Sequence, residues 1–172
     1  MKSKLLLGIM SSVFISLAAF AKVSDTQLQD QSNIKIFIGT YDLISNQDSS
    51  GSFCYRGVII SEEKGNIHLY RADMKDEGSM ISGKLNGPER ASTVSHGEAM
   101  VSTKYFDKVN LNDGVLTFQS KGTVKFMGIP AGTESDTYTF LLTEKKGTLN
   151  ATRKVRENLT SSTATCIYQK IN

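Results

Sequence analysis

Ala99-Met-Val-Ser-Thr-Lys-Tyr-Phe-Asp-Lys-Val-Asn-Leu111, then Asn112-Asp113-Gly114, then Val115-Leu-Thr-Phe-Gln-Ser-Lys121 is the stretch on which the fold turns. Its two arms are rich in β-branched and aromatic residues, which suit a pleated surface packed on one face. Asp-Gly between them supplies the positive φ that a two-residue hairpin turn requires. The segment therefore reads as two neighbouring antiparallel strands.

The same grammar extends in both directions. Glu63-Lys64-Gly65-Asn66 and Lys145-Lys146-Gly147 are short turns of the same kind. Strands are expected over 36–45, 52–61, 66–71, 99–111, 115–121, 123–127, 137–144, 148–156 and 163–171. No window after residue 33 carries an apolar stripe of helical period, so the only helical turn expected lies in the polar stretch before the first strand. Eight or nine meandering strands close into an up-and-down barrel or stack as a sandwich. We expect the barrel, all-β and eight-stranded, whose interior at that size holds packed side chains or one small ligand. Two stretches interrupt the rhythm: residues 72–98, read as a long loop with a weak strand around Met80 to Leu85, and the apolar tip Gly128-Ile129-Pro130-Ala131-Gly132.

The chain opens with Lys2 and Lys4, an apolar run from Leu5 to Leu17 and Ala19-Phe20-Ala21. A charged start, an apolar centre and a small-x-small end are the parts of a secretory signal peptide. The expected organisation is therefore signal peptide 1–21, flexible leader 22–33 and a single domain 34–172, exported to the periplasm or the medium. Of the 20 Lys and Arg, Lys2 and Lys4 leave with the signal, so 18 remain against 17 Asp and Glu, a net charge of +1. That balance gives no electrostatic case for nucleic acid or anionic membranes. The apolar run is shorter than the ~20 residues of a spanning helix, so no transmembrane segment is expected. A monomer is expected.

Cys54 and Cys166 are the only cysteines. In an oxidising compartment they are expected to pair. The bond would close a loop of 166 − 54 = 112 residues. Chain entropy assigns such a closure about 4 to 5 kcal/mol, and it would tie an early strand to the last one.

Catalytic patterns are lacking. Ser95-His96-Gly97-Glu98 places a nucleophile, a base and an acid side by side, where no relay can form, and no Gly-x-Ser-x-Gly elbow is present. His68 and His96 have no partners at metal-ligand spacing, Asp73, Asp76 and Glu77 do not fill a calcium loop, and no phosphate-binding loop occurs. The expectation is a non-enzyme without cofactor or metal.

Arginines on apolar faces are more informative. Strand parity puts Arg153 beside Leu149, Ala151 and Val155, and Arg56 beside Cys54, Val58 and Ile60. A buried guanidinium needs partners: backbone carbonyls, a carboxylate, an aromatic ring that it caps at a barrel end, or the anionic head of a ligand. Phe37, Tyr41, Phe53, Tyr55, Phe118, Tyr138 and Phe140 fall at positions that could line an interior, as core or as ligand wall. Tyr41, Arg56, Tyr138, Phe140 and Arg153 are the candidate ligand-binding residues.

Gly39-Thr40-Tyr41, opening the first strand after a polar leader, resembles the Gly-x-Trp start of lipocalin-like barrels, with Tyr41 in place of tryptophan. The resemblance implies an eight-stranded barrel, a basic residue covering the aromatic, a part Arg153 would take, and carriage of a small hydrophobic molecule or an inhibitor or partner surface. An outer-membrane barrel fits less well. The chain ends Lys170-Ile171-Asn172 without a terminal aromatic, and it carries Lys104, Lys108, Lys121, Lys125, Lys154 and Arg156 within its strands. The expected function is a soluble exported barrel that binds a small hydrophobic or anionic amphiphilic ligand. The alternative is a protein-interaction or inhibitor module acting through 72–98 and 128–132.

Overall fold

The computed structural model describes residues 33–47, 54–96 and 100–171. The expected signal segment 1–21, the expected leader up to residue 32 and Phe53 lie outside the described residues. Asn33 and Ile34 are helical and belong to an amino-terminal unit, and the barrel is the unit that starts at Ile36.

Its strands are β1 (Gly39–Asn46), β2 (Gly57–Glu63), β3 (Asn66–Arg71), β4 (Ile81–Gly83), β5 (Arg90–His96), β6 (Val101–Asn112), β7 (Val115–Phe126), β8 (Ile129–Leu142), β9 (Thr148–Glu157) and β10 (Thr160–Lys170). They form one antiparallel sheet in the order β4-β3-β2-β1-β10-β9-β8-β7-β6-β5. The class is the up-and-down barrel expected, with ten strands rather than eight. The difference has local causes. Within 72–96 the weak strand expected around Met80 to Leu85 is present as β4 (Ile81–Gly83), and a short 3-10 helix (Ala72–Glu77) and β5 (Arg90–His96) stand where a loop was expected. The polar composition of 90–96 hides β5, whose pairing is set by the neighbouring β6. The expected strands 115–121 and 123–127 are one, because Gly122 continues the ladder opposite Tyr105 and Glu134. β8 begins at Ile129, eight residues before the sequence pattern does, so 128–132 is the tip of a hairpin and the start of a strand.

The two ends of the sheet meet where β5 stops and the rest of β6 is free to pair. Leu85 bridges Val109, and the Asn86 side chain takes the place of a strand residue, accepting from Leu111 N (2.8 Å) and donating to Leu111 O (3.2 Å). Asn86 sits at φ +52°, a left-handed conformation that asparagine tolerates. One turn of strand away, buried Asp107 accepts from Ser82 N (3.2 Å) and Ser120 Oγ (2.7 Å). Burial pushes the Asp107 carboxyl up, against the Ser120 and Ser82 hydrogen bonds and the Arg90 charge. Arg90 in turn donates to Ser82 Oγ, so a polar cluster closes the seam.

Alternation along each strand sends one set of side chains inward. Toward the closed end that set is apolar and packed: Tyr41, Ile60, Leu69, Phe118, Phe140 and Tyr168 are at most 1% exposed. Phe118 meets Phe140 edge-on at 6.0 Å. Further along the same strands the inward residues become Ser120, Asp136, Arg153, Glu134 and Glu157, and the core ends. Cys54 and Cys166 form the disulfide, Cα atoms 5.8 Å apart, across 112 residues. None of the described helices is long and apolar enough to cross a membrane.

Candidate functional site

Where the packed interior gives way to polar residues, a cleft of about 260 Å3 opens. Its wall is built from consecutive inward positions of four strands: Tyr105 on β6, Ser120 on β7, Glu134 and Asp136 on β8, Arg153 and Glu157 on β9. Tyr55, Met80 and Ile81 supply the far side. Glycine makes the room: a Cβ at Gly122 would stand 2.7 Å from Glu134 Cγ and 3.0 Å from Thr103 Cγ2, so only a residue without one lets Glu134 lean across β7.

Arg153 organises this wall. Its Nε and Nη2 reach the Asp136 carboxylate, the latter at 2.7 Å, with side chains 11% and 28% exposed. The guanidinium carbon stands 4.5 Å from the Tyr55 ring centre and 5.2 Å from that of Tyr138. Burial works to lower the Arg153 pKa, and the Asp136 hydrogen bonds with the surrounding charges override it and hold the group above its ordinary value. Arg71 stacks on Tyr55 as well, 4.6 Å from the centre of the ring, so Tyr55 has two guanidiniums against it. The segment carrying Tyr55 has no strand of its own: the disulfide at Cys54 and a hydrogen bond from Tyr168 Oη to Tyr55 O (3.1 Å) anchor it to β10. Tyr55 and Met80 also border a second cleft of about 290 Å3 with Arg71, Met74 and Glu77.

Three carboxylates, Glu134, Asp136 and Glu157, line the first cleft against one arginine. Glu134 and Glu157 face each other directly across β8 and β9, a like-charge pair that costs free energy when nothing lies between. Burial, followed by the Glu134 hydrogen bond, pushes the Tyr105 hydroxyl up to about 12. Tyr138 is 1% exposed, its pKa driven well upward by burial.

The structure brings only some of the residues singled out from sequence to this place. Arg153 lines the cleft, and Tyr138 lies beneath its guanidinium and stacks on Phe140 at 6.0 Å, both rings inside the packed core. Tyr41 is a core residue: it donates to Phe37 O (2.8 Å), and burial raises its pKa to about 12. The cation over the Tyr41 ring is Lys170, at 5.8 Å, with its amine donating to Ile38 O. Arg153 therefore does not take the covering part that the resemblance assigns to it. Arg56 is exposed, because β2 begins only at Gly57 and alternation does not reach back to residue 56. Sequence reasoning passed over Tyr105, Glu134, Asp136 and Glu157. The polar run Thr133 to Asp136 looks like a loop, and only its pairing with β7 and β9 turns it into the wall of a site. His68 stacks on Tyr70 at 5.7 Å on the opposite strand face from Leu69. Among the described residues no group of three or more His, Cys, Asp and Glu is placed to hold a metal ion. No family model, curated protein or solved structure matches this chain.

Proposed function

We propose that this protein is a non-catalytic, exported binding barrel of lipocalin-like type that takes a small amphiphile in the cleft between Tyr105 and Tyr55. The observation that carries the reading is the change of character along the interior. One end is filled by large apolar side chains, and the other keeps about 260 Å3 between aromatic rings and charged groups. An amphiphile matches that gradient, with its apolar part toward Ile81, Met80 and the rings and its head among the carboxylates. The volume lies just under the usual range of small-molecule sites, roughly 300 to 1,000 Å3, which favours a compact ligand.

Of the two ligand types expected from sequence, the anionic one meets three carboxylates and an arginine already held by Asp136. A neutral or cationic head fits the balance better, and tyrosine faces favour a cation further. Titration calorimetry with decanoate, octyl glucoside and decyltrimethylammonium tests this. The expected result is binding of the glucoside or the ammonium, weakened about tenfold or more for the ammonium by Glu134→Gln, the usual scale for a partly buried charge partner. Silence from all three compounds, or tighter binding of decanoate, would refute the reading.

A further inference from the structure

Three hairpins, β5–β6, β7–β8 and β9–β10, turn at the same end of the sheet. Each carries apolar side chains in water: Met100 (54% exposed), Phe126 (49%), Met127 (66%), Ile129 (69%) and Leu159 (97%). The described β2–β3 and β6–β7 hairpin turns use polar residues at the corresponding place. Lys64 and Asp113 hold the left-handed position before glycine, at φ +51° and +50°, and in β7–β8 that position is Met127, at +50°. A methionine there lacks the polar group that eases this conformation and is two-thirds exposed.

Among the described residues, the outer face next to these tips is charged with one sign. By the pairing of β5 through β10, the outward positions include Lys104, Lys108, Lys121, Lys125, Lys154 and Arg156 and no acidic residue, while Asp107, Glu134, Asp136 and Glu157 all point inward. Glu89, just before β5, approaches Lys121 at 3.9 Å and is the acid nearest this face in the ion pairs of the described residues. A chain whose formal net charge is only +3 thus presents a basic sheet face ending in an apolar edge.

We propose that this end of the barrel docks on a bilayer surface bearing anionic headgroups. Met127, Ile129 and Leu159 enter the interface, and Lys104, Lys125 and Arg156 lie against the headgroups. Apolar groups that project from a basic surface are the combination that holds a protein at such an interface. A second copy of the chain is a poorer occupant, since a two-fold contact would set this cationic face against itself. The inference rests on the outer surface; the cleft with Glu134 and Glu157 opens at the same end of the strands.

Flotation of the purified protein with vesicles of phosphatidylcholine, and of phosphatidylcholine mixed with phosphatidylglycerol, tests it. The wild type is expected to float with the mixed vesicles and to release as salt is raised. Each lysine near an anionic surface strengthens binding about fivefold, so Lys104→Glu/Lys125→Glu should weaken it about 25-fold or more. Met127→Asn/Ile129→Ser/Leu159→Ser alters only exposed positions, with asparagine suited to the turn, and should weaken it at least about tenfold. Unchanged thermal melting in both variants shows that the barrel is intact. Three results overturn the proposal: wild type that floats with neither vesicle, equal flotation with both, or a tip variant that binds like wild type. A dimer in light scattering that the tip variant converts to monomer, without flotation, assigns the surface to a second copy and equally overturns it.

Discussion

Replacing Arg153 by methionine keeps the apolar stem of the side chain and removes the guanidinium with its charge, and the cost follows from what that group leaves behind. Breaking a buried ion pair by deleting one partner costs about 3 to 5 kcal/mol, because the other charge stays buried alone. Here Asp136 is 28% exposed and Arg153 11%, so water reaches the orphaned carboxylate. A cost of about 2 kcal/mol is the better figure for that part. The stacked contacts with Tyr55 and Tyr138 add roughly 0.5 kcal/mol each. Arg153→Met should therefore lose about 3 kcal/mol, which for a domain of this size lowers Tm by about 6 to 12 °C. Asp136→Asn removes one charge but leaves the arginine an acceptor, at about 1 to 2 kcal/mol. Since each variant already breaks the pair, the double variant should lose at least about 1 kcal/mol less than the sum. Urea unfolding of the four proteins measures the cycle. An Arg153→Met variant within about 0.5 kcal/mol of wild type, or strict additivity, would refute the assignment of Arg153 as the organiser of the cleft wall.

Two further outcomes follow from the same framework. Cys54→Ala/Cys166→Ala opens the 112-residue loop and frees the segment that holds Tyr55. It should cost about 4 kcal/mol in urea, and a loss under about 1 kcal/mol would show that the strand ladders alone hold residue 55 in place. On the alkaline side, burial pushes Tyr41, Tyr105 and Tyr168 up to about 12, so between pH 10 and 12 the folded chain keeps protons that the unfolded chain has released. The folded state binds more protons, so stability is full below pH 10 and falls as pH rises through that window, by about 1.4 kcal/mol per pH unit for each such tyrosine. Phenolate absorbance of native and urea-unfolded protein checks it, and superimposed titration curves would contradict the burial of these rings.

What could be read in the chain was what depends on neighbours in sequence. Asp113-Gly114 and Lys64-Gly65 dictate tight turns because only certain residues tolerate left-handed φ, and the alternation in Leu149 to Val155 puts Arg153 on an inward face whatever it later meets. The Cys54–Cys166 bond was legible because two cysteines have one pairing. What tertiary structure alone decided depends on register between strands distant in sequence. Asp136 becomes the partner of Arg153, and Lys170 rather than Arg153 covers Tyr41, because pairing along β8, β9, β10 and β1 sets which side chains share a level of the barrel. β4 lies within the weak strand read around Met80 to Leu85, whereas β5, in the polar run 90–96, exists because β6 offers it a ladder, which a short polar segment cannot announce. The sorting of charge is the clearest case. A sum over the sequence treats lysines and carboxylates as cancelling, whereas the closed sheet sends the carboxylates of β8 and β9 inward and the lysines of β6, β7 and β9 outward. Each residue has an intrinsic charge, but its face is a property of the ladder it joins.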